Sequence, residues 1–387
     1  MNDETIEQPQ LLETEAQISI VPRSAEDVAK SILAWAKENN LFSKAPTDDG
    51  IDLGSADLSA LPARMQAVSD ISGILRKRAI NLVAYSNEQR KVTIFTNGKV
   101  SKAEIKLLPF AGADGIQIDY VQGGVAQVRA PDDEADQPRP YVLRSDRVCC
   151  GSSVYPVDAM GAGTLGVLVR DHEGTLFGLT NNHVSGGCNS AYPGLPIICP
   201  GPLDAKDCEM DPFTIGRHTK LLPVNDGLPE NINTAENCDA ALIRISNPDR
   251  VSSFQRNQYD TPPVAATPVG GMRVEKSGRT TATTRGQVVG FSASPVPVAY
   301  SIPEYGIRKT VFFNEVMIIK GDNDAPFSKA GDSGSLVVGY DQQGQRVAVG
   351  LVFAGNEERG LSFALPLANI LTLLGVSLVS SHNADGQ

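Results

Sequence analysis

Gly331-Asp-Ser-Gly-Ser-Leu-Val-Val338 is a tight turn that runs straight into a strand. Glycines on both sides of Ser333 let the backbone turn sharply and let a substrate carbonyl come close. In such a turn the amides of Gly331 and Ser333 point at one spot, where they stabilise an oxyanion. Taken alone the stretch is an ordinary Gly/Ser turn, so its meaning depends on what surrounds it. From about 145 to 366, short apolar runs alternate with Gly, Pro, Asn and Asp. Leu165-Gly-Val-Leu-Val169, Ala240-Ala-Leu-Ile-Arg-Ile245, Gln287-Val-Val-Gly-Phe291, Val311-Phe-Phe313 and Ser335-Leu-Val-Val338 are examples. This spacing predicts an all-β barrel or sandwich. The last apolar stretch, Leu365 to Leu378, has helical periodicity after Pro366 and predicts a C-terminal helix packed on the body.

Two further segments of this β-rich half carry chemistry. Gly178-Leu-Thr-Asn-Asn-His-Val184 ends a strand on an imidazole ringed by small and polar residues, the placement of a general base. A lone histidine is more often structural, but with 4 His in the chain the choice of base is narrow. Asn237-Cys-Asp-Ala-Ala-Leu-Ile243 opens an apolar strand with a carboxylate, which is costly to bury without a partner. An imidazole N–H is such a partner, and the pair fixes tautomer and orientation. Asp211 and Asp226 are reserve candidates for the acid, although neither opens an apolar strand.

Thr180-Asn-Asn-His-Val184, Asp239-Ala-Ala-Leu-Ile243 and Gly331-Asp-Ser-Gly-Ser-Leu-Val337 resemble the signature segments of the chymotrypsin/trypsin-like serine proteases, in that family's order. Ala162-Gly-Thr-Leu-Gly166, Pro200-Gly-Pro-Leu-Asp204 and Lys276-Ser-Gly-Arg-Thr-Thr-Ala-Thr-Thr-Arg-Gly286 bring the likeness nearest to the narrow-leaf type of trypsin-like peptidase. The resemblance covers about 145–370. It implies a trypsin-like double antiparallel β-barrel, two six-stranded barrels with the site in the cleft between them. It also implies a serine endopeptidase in which Ser333 attacks the scissile carbonyl, His183 relays the proton and Asp239 holds His183. Gly331 and Ser333 then supply the oxyanion amides. Gly350-Leu-Val-Phe-Ala-Gly355 resembles the strand that pairs with an extended substrate. Gly355 and Gly360 would line the primary specificity pocket, with Phe327 at its base.

The chain also departs from the family pattern. Phe327 stands where digestive trypsins carry an acid, which implies an apolar or small side chain in the pocket; Asp322 and Asp324 lie nearby in sequence. No Ile-Val-Gly-Gly segment is present for release by zymogen cleavage. Asp332, whose counterpart in secreted relatives binds that new N-terminus, must find another partner or leave the oxyanion loop unformed. A regulatory protein partner is one such means of control.

Upstream of the barrels the reading is different. Residues 1–22 read as a disordered acidic tail. Ser24-Ala-Glu-Asp27 starts a helix with Val28, Ile32, Leu33 and Trp35 on one face, and a Pro/Asp/Gly cluster at 46–50 closes it. A second helical pattern runs from Leu58 to Leu75, through Leu61, Met65, Val68 and Ile71. Strand patterns succeed it at Asn81–Tyr85, Lys91–Phe95 and Gly115–Val121. Residues 23–128 thus make a small α+β domain, 129–144 a Pro/acid-rich linker, and 145–387 the protease domain with its C-terminal helix. The fold class is mainly β with an α+β N-terminal part.

The totals set the remaining limits. A net charge of −11 argues against a nucleic-acid surface, which needs clustered cations; a local basic patch stays open, but no Lys/Arg-rich run is present. No apolar run is long enough to span a membrane. The acidic N-terminus lacks the basic and apolar parts of a secretory signal, so a cytoplasmic location is expected. Six cysteines, Cys149, Cys150, Cys188, Cys199, Cys208 and Cys238, leave three readings: structural thiols, which we favour, disulfides, or a metal site. No cofactor or metal is called for. Asp204, Asp207, Glu209 and Asp211 read as a solvated acidic loop. The expected partner is a protein or peptide substrate. Two other classes stay in view: a catalytically silent trypsin-fold scaffold, and an α/β-hydrolase esterase. The esterase is disfavoured because its Gly-x-Ser-x-Gly elbow is broken by Ser335 and its chain order is reversed.

Overall fold

The computed structural model describes residues 22–43, 58–62, 64–65, 69–123, 126–127, 138–205, 211–229, 231–356 and 360–384. The acidic tail to residue 21, most of the linker, and Asp207, Cys208 and Glu209 lie outside the described residues.

The helix Ala25–Glu38 begins where the sequence requires. The Ser24 hydroxyl accepts from the Asp27 amide at 3.1 Å, and the Asp27 carboxylate accepts from the Ser24 amide at 2.9 Å. Its Val28, Ile32, Leu33 and Trp35 are buried in a cluster with Val83, Val92, Ile94 and Ile118. Burying each such aliphatic side chain stabilises the unit by about 1.5–3 kcal/mol. The strands Ile80–Ser86 and Lys91–Thr96 pair antiparallel, and Gln117–Gln122 lies parallel to the second. Within the expected second helical pattern, the described elements are one turn at Leu58–Ala60 and the helix Ser69–Arg78. This layer is continuous with the sheet of the β-rich half, because Ala84 pairs with Ser292 and Tyr85 with Phe291.

The rest of the molecule is β-rich. Six strands form a closed antiparallel barrel: Arg273–Gly278, Ala282–Ser292, Met317–Gly321, Leu361–Pro366, Arg346–Asn356 and Leu336–Tyr340, which returns to the first. Val274, Val288, Ile319, Phe327, Val337 and Val352 fill its interior. A hairpin of Val296–Ile302 and Ile307–Phe313 is inserted between its second and third strands.

The other body differs from the expected six-stranded barrel. It is an eight-stranded sheet whose ladder does not close. At one end Gly163–Thr164 pairs with Ser153–Pro156; Val167–Asp171 pairs with Leu176–Thr180 towards the other. Gly163–Thr164 and Val167–Asp171 are consecutive in the chain, and the join runs through Leu165 and Gly166, whose amides donate to the Ser152 and Leu179 carbonyls, each at 2.9 Å. The C-terminal helix is present but short, Leu367–Leu374. The expected helical run beyond it is a strand, Val376–Leu378, captured by Val167–Asp171. An edge offering unpaired backbone groups overrides helical periodicity there.

Candidate active site

His183 sits where the strand Leu176–Thr180 ends and the chain tightens into a short turn, Asn182–Gly186. The polar residues before it hold that turn. Thr180 donates to the Thr164 carbonyl at 2.7 Å, and the Asn181 amide to the Asp239 carbonyl at 2.6 Å. The Asn182 amide donates to the Leu222 carbonyl at 2.8 Å.

Asp239 precedes the strand Ala241–Ile245, which pairs antiparallel with the histidine strand and so brings the two residues together. His183 Nδ1 lies 2.6 Å from Asp239 Oδ2, and the His183 amide donates to Oδ1 at 3.0 Å. The carboxylate is fully buried and His183 is 5% exposed. Both reserve acids, Asp211 and Asp226, are exposed.

Asp239 has a third donor. The Tyr300 hydroxyl, on the inserted hairpin, donates to Oδ2 at 2.8 Å. Burial and the adjacent Asp239 charge hold this phenol well above its ordinary pKa, so it remains a donor. Its ring packs edge-on against His183, with centroids 5.7 Å apart. Beyond it Phe313 and Phe353 continue an aromatic chain to the strand that carries Gly355. Sequence reasoning misses Tyr300, because a tyrosine in an alternating strand gives no signal of a contact that joins residues 61 apart.

Ser333 is half-buried at the tip of its turn. Gly331 and Gly334 have φ of 92° and 95°, which only glycine adopts without strain. The turn is seated on the other body: Thr164 N donates to the Ser333 carbonyl at 2.8 Å, and Thr164 Oγ1 to the Gly331 carbonyl at 2.9 Å. Thr164 itself accepts from Thr180, three residues before His183. Among the described residues, neither the Gly331 nor the Ser333 amide meets an acceptor. No hydrogen bond joins Ser333 Oγ to His183 among them; such contacts commonly tighten only when substrate is bound.

Asp332 finds its partner within the chain. Its buried carboxylate lies 3.3 Å from Lys276 Nζ, which is equally buried. It also accepts from the amides of Thr280 at 2.8 Å, Thr281 at 3.1 Å and Lys329 at 3.0 Å, and from the Thr281 hydroxyl at 2.6 Å. Burial opposes its charge, but Lys276 and these donors together hold the carboxyl below its ordinary pKa. Of the two expectations for Asp332, another partner or an unformed loop, the first holds: Lys276 and the donors from Thr280, Thr281 and Lys329 are its partners.

The acidic loop departs in part from the solvated reading. Asp204 is buried and forms an ion pair with Arg279, whose Nε donates at 3.0 Å, and it accepts from Ser153 Oγ at 2.5 Å. The cation reaches across from the closed barrel and makes the burial possible.

Of the residues assigned to the pocket, Phe327 is fully buried and packs within the barrel core. Gly355 is half-buried opposite Ser362, next to a buried bond from Ser328 Oγ to Ser362 Oγ of 2.7 Å. Gly360 is half-buried, and a Cβ placed on it would meet nothing within 4 Å among the described residues. Asp322 pairs with Arg273, and Asp324 with Lys320 at 2.9 Å. The five described cysteines are buried thiols. Burial pushes Cys238 up to about 12 and Cys149 to about 11, far from a reactive thiolate. Among the described residues no helix is long and apolar enough to cross a membrane.

Residues 263–369 match the family model of the Nal1 C-terminal domain. No curated protein matches the chain. Among solved structures it is similar to protease A of Thermobifida fusca, at 18% identity over 60% of this chain and 98% of that one, TM-score 0.39. A glutamic-acid-specific serine protease is similar at 17% identity over 60% and 100%, TM-score 0.40. The Nocardiopsis protease NAPase is similar at 16% identity over 59% and 97%, TM-score 0.38. These neighbours are trypsin-like serine proteases.

Proposed function

We propose that the chain is a serine endopeptidase of the narrow-leaf trypsin-like type, working through His183, Asp239 and Ser333. The observation that carries this reading is the buried His183–Asp239 pair at 2.6 Å. Thr180 and Thr164 link the histidine strand to a glycine-flanked serine turn whose two amides have no acceptor among the described residues. In the first step Ser333 Oγ bonds to the scissile carbonyl carbon and its proton passes to His183 Nε2. The carbonyl electrons move onto the oxygen, which the Gly331 and Ser333 amides hold. Collapse breaks the C–N bond, and His183 returns the proton to the leaving amine. Water then repeats the sequence on the acyl-enzyme and frees the serine.

Asp239 carries the charge that stabilises the imidazolium, with Tyr300 and the His183 amide fixing its orientation. Gly355 and Gly360 border the primary pocket, and Phe327 closes the barrel beneath it in place of an acid. Substrates are protein or peptide chains with an apolar or small residue before the cleaved bond. The enzyme is cytoplasmic and a protein partner adds control; residues 23–128 share a sheet with the protease body through the Ala84–Ser292 and Tyr85–Phe291 pairs. The competing reading, a silent scaffold on the same fold, is disfavoured because the two amides and the buried pair are all retained.

The test is covalent labelling by an alkyl fluorophosphonate in the full chain, in Ser333→Ala and in His183→Ala. Labelling of the full chain that is lost in Ser333→Ala supports the protease. Labelling retained in Ser333→Ala, or absent throughout, sinks it.

A further inference from the structure

The strand Arg346–Asn356 is covered unequally on its two edges. On one side it pairs with Leu361–Pro366 from Gly350 to Asn356. On the other it pairs with Leu336–Tyr340 only as far as Leu351. At that point the Gly334 amide donates to the Val352 carbonyl at 2.8 Å, and the Val352 amide to the Ser335 carbonyl at 3.0 Å. The edge beyond Val352 is therefore released one residue from Ser333.

That edge is occupied. Gln127 lies opposite Gly355 in antiparallel register. The same two-residue strand, Ala126–Gln127, runs parallel to the inserted hairpin on its other flank, with Ala126 opposite Val298 and Gln127 opposite Ala299. The position is thus a slot with strands on both sides, and its occupant is held through its backbone.

The direction of the occupant is informative. The barrel strand runs from Val352 towards Gly355, so an antiparallel neighbour advances towards Val352, and hence towards Ser333, as it runs from N to C. A peptide entering this way presents a carbonyl to the serine after the residues that pair with the strand. The hairpin that forms the slot's far wall also carries Tyr300, which holds Asp239.

We infer that the chain's own Ala126–Gln127 stretch occupies the place that the resemblance gives to an extended substrate, and fills it until a substrate displaces it. This rests on the protease reading above. A tethered segment competes at an effective concentration in the millimolar range, so weak pairing suffices to exclude dilute peptides. The recognition needs no particular side chain, since the bonds are those of the main chain.

The test uses the full chain and the double variant Ala126→Pro/Gln127→Pro, which removes the N–H donor facing each wall. Ala126→Gly/Gln127→Gly is a milder second variant, and thermal melting checks that all three fold. Two probes are compared: an alkyl fluorophosphonate, which needs only the serine, and a tetrapeptidyl diphenyl phosphonate, which needs the slot. The expected result is labelling by the peptidyl probe about tenfold faster in the proline variant, with the glycine variant between, and alkyl labelling unchanged. Equal peptidyl rates in all three, with alkyl labelling intact, overturn the inference and leave the protease standing. Failure of the alkyl probe on every protein removes the protease reading and this one with it.

Discussion

Lys276 Nζ stands 3.3 Å from Asp332 Oδ2, and both side chains are wholly buried. Lys276 lies opposite Val337 in neighbouring strands, so the barrel register delivers the cation beneath the serine turn. Removing one member of a buried pair leaves the other uncompensated, at about 3–5 kcal/mol. Lys276→Met should lose that much stability by chemical denaturation and lose fluorophosphonate labelling at temperatures where it is still folded. The same loss of stability with labelling retained would show that the pair stabilises the barrel without shaping the serine turn.

Tyr300→Phe tests a positioning role. The substitution keeps the ring packed on His183 but deletes the donor at 2.8 Å from Asp239. A hydrogen bond to a charged group contributes about 1.5–3 kcal/mol, and about 1.4 kcal/mol is a factor of ten. We expect kcat to fall by about tenfold or more with KM unchanged. A change in KM alone would place Tyr300 in substrate binding instead.

The Asp204–Arg279 pair bridges the open sheet and the closed barrel, with 5% of each side chain exposed. Asp204→Ala should destabilise by about 3–5 kcal/mol, because the guanidinium is left buried without its counter-charge. Asp204→Leu/Arg279→Met should recover much of this loss, since it removes both charges. Equal melts for the single and double variants would contradict the assignment.

His218 gives the acid response. It is buried beside the turn that carries His183, 3.5 Å from Ser185 Oγ, and burial lowers its pKa from the ordinary 6.5. The unfolded chain therefore takes up the proton at a higher pH than the folded one. Stability is intact above 6.5 and falls as pH drops below that value towards the folded pKa. Denaturation midpoints measured from about pH 7.5 to 5 should decline, and His218→Gln should flatten the slope over that interval. An unchanged slope in the variant would assign the acid response to other groups.

Most of the elements, and the chain order of the candidate site residues, are legible in the chain alone. Capping at Ser24, turn glycines at Gly331 and Gly334, and the alternation of short strands are local properties, complete within a few residues. His183, Asp239 and Ser333 are each marked by an abrupt change from apolar strand to polar or small residues. The pairings come only with the tertiary structure. It buries Asp239 against His183 while leaving Asp211 and Asp226 exposed, and it joins Asp204 to Arg279. It gives Asp332 a lysine and Asp239 a tyrosine from distant strands. It also turns the expected end of the C-terminal helix into a strand and lays Gln127 beside Gly355. The reason is physical: propensity and turn chemistry act over about one turn of chain. The partner of a buried charge or of an open strand edge is set by long-range register, which no local pattern encodes.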